Sequence, residues 1–228
     1  MNDELVIYNK PKSSISENIR TIRTNLEFMN TTKKFKTILF TSSIGGEGKS
    51  FVAANTAIAF AQAGKKVLLI DADIRKGRLH LLFNVPSGAN GLTNLLVDED
   101  ALESYKTIKD EYIVQTKIDN LSFLPRGSAV PNPSELLESP NAVKLIALFK
   151  LKYDYIIFDC CPVIGLPDAL ILARKMDKTI IVCSIGHTPS DVLENAKKSL
   201  ENVDANIAGV VVNRVPSSNN DYYSKYYE

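Results

Sequence analysis

Five short apolar runs, at residues 37–41, 66–70, 155–158, 179–183 and 207–212, constrain this 228-residue chain more than any other feature. Each reads as a strand that is apolar on both faces rather than alternating, and a strand buried on both faces belongs to a parallel sheet covered on two sides. A weaker run at 121–124 reads the same way. Between the runs, apolar residues recur at helical spacing, as Ile15, Ile19, Ile22 and Leu26 do within a helix over 13–30. Further helices are expected over 50–63, 140–151, 167–175 and 190–203, with shorter helical pieces around 75–83, 91–97 and 99–108. The stretch at Pro131-Asn132-Pro133 reads as a turn. The fold class is α/β, a three-layer architecture whose mostly parallel sheet carries helices on both faces. A ligand crevice belongs at the carboxyl ends of its strands.

That rule directs attention to the loop after the first strand, Ser43-Ile44-Gly45-Gly46-Glu47-Gly48-Lys49-Ser50-Phe51. Its Gly-Lys-Ser core, set between a strand and a helix, has the context of a phosphate-binding P-loop. Glycines let backbone N–H groups turn toward phosphate oxygens at a helix N-terminus. Gly45, Gly46, Glu47, Gly48, Lys49, Ser50 and Phe51 are therefore the nucleotide-binding residues, with Lys49 on the β and γ phosphates and Ser50 on Mg²⁺. The general pattern opens on Gly, whereas Ser43 holds that place here. Asp159 ends the run at 155–158, and Asp71 and Asp73 follow the run at 66–70. Three acids on strands taken to flank the P-loop strand fit a metal–nucleotide site, so Ser50, Asp71, Asp73 and Asp159 are the expected Mg²⁺ residues. Each acid alone could equally be a helix cap.

Together these residues resemble the bacterial tyrosine kinases of capsule and exopolysaccharide synthesis, within the P-loop NTPase branch of the partitioning ATPases. Residues 70–75 (I-D-A-D-I-R) are similar to the family's second acidic motif, and 155–159 (Y-I-I-F-D) to its Walker B strand. Glu17, Arg20 and Arg23 match its E-x-x-R-x-x-R oligomerisation motif, and 131–136 its P-N-P-x-E-L stretch. The sequence departs from the family in two places. Gly45 stands where proline is usual, which implies a looser loop, and Cys160-Cys161-Pro162 stand where Thr-Pro-Pro is usual. The resemblance implies ATP and Mg²⁺ as cofactors, a kinase domain over 1–215, and catalytic Lys49, Asp71, Asp73 and Asp159, with Asp71 as candidate base. It also implies a ring-shaped homo-oligomer, a separate membrane-bound activator, a cognate tyrosine phosphatase, and a cytoplasmic place at the inner face of the membrane.

The last 13 residues add an arithmetic oddity. Nine tyrosines in 228 residues predict roughly half a tyrosine there, and the segment holds four: Tyr222, Tyr223, Tyr226 and Tyr227. The polar residues 216–220 read as a flexible leader, and the tyrosines as autophosphorylation sites on a tail of 216–228, although a tail docked on its own domain is the plainer alternative. A formal charge of +1, from 27 basic and 26 acidic residues, argues against nucleic acid as a partner. Cys160, Cys161 and Cys183 make an odd number without paired spacing, so they read as reduced thiols, and the adjacent pair as small buried apolar residues. His80 and His187 receive no role. The rival from another class is a partitioning ATPase switch, which usually carries an extra P-loop lysine where this chain has Ile44. A nucleotide-binding adaptor without turnover is a third reading.

Overall fold

In the computed structural model, which describes residues 2–32 and 34–216, single helices or runs of helices separate most of the strands. The order is α1 (Val6–Asn9), α2 (Ser14–Thr32), β1 (Thr37–Ser42), α3 (Lys49–Gln62), β2 (Val67–Asp71) and α4 (Leu79–Leu82). Then come α5 (Leu92–Val97), α6 (Glu99–Leu102), α7 (Tyr105–Glu111), β3 (Val114–Gln115), β4 (Leu121–Leu124), α8 (Pro133–Glu138) and α9 (Pro140–Lys152). The chain ends in β5 (Tyr155–Asp159), α10 (Asp168–Ala173), β6 (Lys178–Ser184), α11 (Ser190–Glu201) and β7 (Ile207–Asn213).

The strands form one seven-stranded sheet in the order β3-β4-β2-β5-β1-β6-β7. Every pairing is parallel except the short β3 against β4. Strands β1, β2, β4 and β5 are buried along their whole length, as their unbroken apolar runs require. One core, on the α1–α4 side, gathers Leu5, Ile19, Phe40, Phe60 and Phe123; the other, on the α5–α11 side, gathers Leu68, Leu95, Phe149, Leu172 and Leu200.

Helix α3 is the spine of the first core. Residues 52–61 are all buried, including the polar Asn55, whose side chain is fully used. It donates to the Glu4 and Phe51 carbonyls and accepts the Ile7 N–H, pinning α1 over the helix. Phe60 stacks at 4.1 Å on the ring of Tyr155.

The structure corrects the sequence reading in particular places. Strand β2 does not flank β1; β5 lies between them, and β1 is bordered by β5 and β6. Pro133 starts a helix rather than merely turning the chain, because it sits at the first helical turn, where a missing N–H costs nothing; the helix expected from 140 also begins on a proline, Pro140. The four-residue α1 and two-residue β3 are too short to leave a periodic signal. The expected tail lies outside the described residues from residue 217 onward.

Replacing Phe60 by Ala is expected to cost about 3–5 kcal/mol, the range for deleting a fully buried ring. Denaturant unfolding should show a lower midpoint with an unchanged slope; an unaltered midpoint would mean that α3 is not the spine of this core.

Candidate active site

The P-loop runs from the end of β1 into α3. Gly46 and Gly48 both take left-handed backbone, at φ +83° and +88°, which glycine adopts without strain. At Gly48 a second constraint applies, since a Cβ there would lie 2.1 Å from the Asn213 side-chain nitrogen. Glu47 is buried and turned inward. Its carboxylate accepts the Ile44 N–H at 2.9 Å and the Thr188 hydroxyl. Sequence position assigned Glu47 to the nucleotide, but its side chain holds the loop.

Residues from the far end of the chain complete this loop. The Asn213 amide donates to the Glu47 carbonyl at 3.0 Å, and the Arg214 guanidinium to the Gly46 carbonyl at 2.8 Å. The His187 Nε2 lies 3.2 Å from the Gly45 carbonyl. Gly45 therefore does not leave the loop slack, because the carbonyls around it are held by the end of β7 and by residues just after β6 and β7. No local signal marked His187, Thr188, Asn213 or Arg214, whose partners lie more than 140 positions away.

Lys49, the first residue of α3, points back over the strand ends. Its Nζ sits 3.2 Å from Asp73 Oδ2, 3.2 Å from Asp159 Oδ1 and 3.3 Å from Ser50 Oγ. Strand register brings Asp71 directly opposite Asp159 on β2 and β5. The structure thus brings together Lys49, Ser50, Asp71, Asp73 and Asp159. Burial pulls the Lys49 ammonium toward the neutral form, but Asp159 and Asp73 outweigh it and its proton is held more firmly than usual. Burial pushes Asp159 up, and Lys49 only partly offsets this. Asp71 is raised well above the ordinary carboxylate range, by burial first and by the Asp159 charge second.

Of the three acids, Asp73 lines the cleft in front of the loop. Asp71 lies behind it, with Oδ2 accepting the Leu79 N–H at 3.2 Å and Oδ1 against Gly77, where a Cβ would approach to 2.1 Å. Among the described residues, no three His, Cys, Asp or Glu side chains form a ready-made cation cage. A P-loop cation needs no such cage, since nucleotide phosphates, water and a Ser hydroxyl supply most of its ligands. Asp71 Oδ1 and Asp159 Oδ2 are buried without a hydrogen bond, an uncommon condition that suits acceptance from cation-bound water. The residues therefore fit Mg²⁺ beside Ser50.

The remaining expected residues divide. Phe51 lines the cleft. Cys160 and Cys161 are buried free thiols with sulfurs 3.9 Å apart. Glu17 and Arg20 pair with each other on the half-buried face of α2. Arg23 instead reaches Glu27 and the Ala59 carbonyl of α3, at 3.6 and 3.3 Å, so part of this triplet fastens α2 to its own core. Tyr222, Tyr223, Tyr226 and Tyr227 lie outside the described residues. No helix among the described residues is long and apolar enough to cross a membrane.

Residues 35–209 match the AAA domain family. The chain is 35% identical to the putative tyrosine-protein kinase CapB of Staphylococcus aureus over 98% of its own length and 94% of that protein's. It is 37% identical to the tyrosine-protein kinase YwqD of Bacillus subtilis over 99% and 92%. The crystal structure of the chimerical protein CapA2B2 superposes with a TM-score of 0.86 at 35% identity, covering 95% of this chain and 92% of that one.

Lys49 is the counter-ion of Asp73 and Asp159, so Lys49→Met should destabilise the nucleotide-free protein by about 3–5 kcal/mol near neutral pH, the cost of stripping one partner from a buried pair. The sign with pH follows from the acids. Without Lys49, the folded-state pKa of Asp159 rises further. A group raised on folding contributes stability below its unfolded pKa, about 4, and loses it as pH climbs. The gap in melting temperature between wild type and variant should therefore be wide at pH 7.5 and narrow toward pH 4. A pH-independent gap would show that Lys49 carries no such charge-balancing role. Adding Asp159→Asn to Lys49→Met should recover part of the loss at pH 7.5.

Proposed function

This chain belongs to the bacterial tyrosine-protein kinases and is itself a protein-tyrosine kinase, and from that premise we propose that it is an ATP- and Mg²⁺-dependent autokinase acting on Tyr222, Tyr223, Tyr226 and Tyr227 of a second copy. The observation that carries the reading is Lys49, held at equal distance from Asp73 and Asp159 beside the Ser50 hydroxyl. An ammonium fixed on a P-loop before any nucleotide arrives is preorganised for the negative charge of phosphoryl transfer, so little reorganisation is left for the reaction itself.

In the proposed reaction a tyrosine phenol oxygen attacks the γ-phosphorus of ATP. The bond from that phosphorus to the bridging oxygen breaks, and ADP leaves. The phenol proton passes to a carboxylate. A phenol with a pKa near 10 needs that help, and Asp73 is the acid facing the cleft. Asp71, behind it, shapes the field and the cation's water shell. Backbone N–H groups of Gly45, Gly46 and Gly48, with Lys49, hold the phosphates, while Ser50 and Asp159 orient Mg²⁺. When bound, Mg²⁺ neutralises charge on the β and γ phosphates. The exposed part of the Glu17–Arg20 stripe is the proposed contact for a ring-shaped oligomer.

Relatives named for capsule and exopolysaccharide regions, and a solved relative described as a chimera, support a role in surface-polysaccharide assembly. They also support a separate membrane-bound activator at the cytoplasmic face, with a cognate tyrosine phosphatase to reset the system. Modification in trans rests on the assembly surface, because Arg214, just before the tail, lines the same cleft and leaves the tail's own site within reach.

Mixing two chains tests the order of reaction. One carries Lys49→Met with Asp159→Asn and an intact tail; the other is active with its four tail tyrosines changed to Phe. Phosphotyrosine mapped by mass spectrometry should appear on the inactive chain. Label confined to chains with their own Lys49 means reaction in cis, and no phosphotyrosine in wild type with ATP and Mg²⁺ leaves only an ATPase switch. Separately, Arg20→Glu should lower the oligomer size by light scattering at matched concentration, because it inverts the charge that α2 presents. An unchanged size would return Glu17 and Arg20 to ordinary surface charge.

A further inference from the structure

The cleft in front of the P-loop measures about 1160 Å³, above the ~300–1,000 Å³ of ordinary small-molecule pockets. Phosphate machinery occupies one end of it. The other end runs between the loop after β2 and the segment leading into α8. On the first wall Lys76 and Arg78 are exposed and line the cleft, and neither side chain makes a hydrogen bond or ion pair among the described residues. Apolar surface faces them from Leu81, half of it exposed, and from Val130 and Pro131.

The two walls are tied together. Arg75 donates to the buried Asp168 at 2.7 and 3.0 Å and to Ser134 Oγ at 3.1 Å. Ser134 donates in turn to Asp168 at 2.6 Å, and Arg126 to the Arg75 carbonyl at 3.3 Å. This end of the cleft is therefore built in place rather than assembled from free loops. Arg75, saturated by Asp168 and Ser134, is structural, and the two cations beside it are free for a ligand.

Two unpaired cations above an apolar slot suit an acidic peptide that presents an aromatic ring. The chain contains one. Residues 217–228, outside the described residues, read S-S-N-N-D-Y-Y-S-K-Y-Y-E, with Asp221 and Glu228 on either side of the tyrosines. They begin three positions past Arg214, itself a lining residue, and twelve residues at ~3.3–3.6 Å each reach about 40 Å.

We propose that Lys76 and Arg78 form an acceptor subsite that selects acidic tyrosine-bearing segments, with residues 217–228 of a second copy as its occupant. The proposal rests on the kinase reading above and adds to it what the site recognises. Each phosphate placed on the segment adds about −1.5 to −2 charges. A segment modified once is then held more firmly by the same two cations, and its remaining tyrosines become better acceptors.

The test uses the full chain with its four tail tyrosines changed to Phe, and two synthetic peptides. One has the sequence of residues 217–228; the other carries Asp221→Lys and Glu228→Lys. The unaltered cleft should phosphorylate the acidic peptide with at least a tenfold advantage in kcat/KM, expressed in KM and shrinking with added salt. Lys76→Glu with Arg78→Glu should reverse the preference. Failure to phosphorylate either peptide overturns the kinase reading itself. Phosphorylation with a preference untouched by charge reversal overturns the subsite and leaves the kinase reading standing. Should reversal abolish turnover of both peptides, Lys76→Gln with Arg78→Gln decides: the preference must fall to about parity, and a retained tenfold advantage overturns the subsite.

Discussion

The arrangement of this molecule turns on one ammonium group among three carboxylates. Strand register sets Asp71 against Asp159 on neighbouring parallel strands, and like charges directly opposed are unfavourable. Asp73, two residues on, adds a third. Burial makes the repulsion worse by removing water. Lys49 relieves it from the next element along, with one nitrogen against two acids. The demand for positive charge that this creates is chemically useful, since a cation-binding site is a place where carboxylates cannot be left to themselves. In the proposed reaction, phosphate oxygens on the loop would meet an ammonium already engaged by the acids, and Mg²⁺ would be the second cation that lets Lys49 serve both.

Lys49 is placed by its neighbours in a traceable chain of constraints. It starts α3, whose preceding residue, Gly48, has left-handed backbone and no room for a side chain beside Asn213. Asn213 ends β7, and among the described residues β7 pairs only with β6. The P-loop is thus stiffened by the last strand of the domain. His187 and Arg214 do at the Gly45 and Gly46 carbonyls what a proline would do through its own ring: they limit where the backbone can go. The means differ, since a proline acts locally and through the unfolded state as well, whereas these hydrogen bonds exist only once β6 and β7 are in the sheet.

That difference explains what was legible in the sequence. The central strands were readable because burial on both faces writes an unbroken apolar run, and the P-loop because its glycines, lysine and serine must be contiguous. Asp71, Asp73 and Asp159 were readable as strand-end acids. The interposition of β5 between β1 and β2 was not, because apolar runs carry no information on who pairs with whom. Pro133 misled in the direction of a turn, since the residue that breaks a helix inside also begins one. Glu47 was placed correctly in the loop, but its task was invisible without Thr188. Arg23 read as part of an oligomerisation motif, and only the fold shows it reaching the Ala59 carbonyl.

The clamp and the acceptor wall share a logic that bears on how the site is built. Arg214 and Arg75 each spend their charge on fixed protein oxygens, the Gly46 carbonyl and the Asp168 carboxylate. Asp168 is drawn below the ordinary carboxylate range because the Arg75 and Ser134 bonds outweigh its burial, so at neutral pH this pair stays ionised and locked. Lys76 and Arg78, a few residues away on the same loop, spend nothing. A basic loop whose structural cation is buried in bonds and whose neighbours are left bare separates rigidity from recognition. Fixed geometry comes from the paired arginines, and the attraction felt by an incoming anion comes from the unpaired residues, which lose least by turning from water to a ligand.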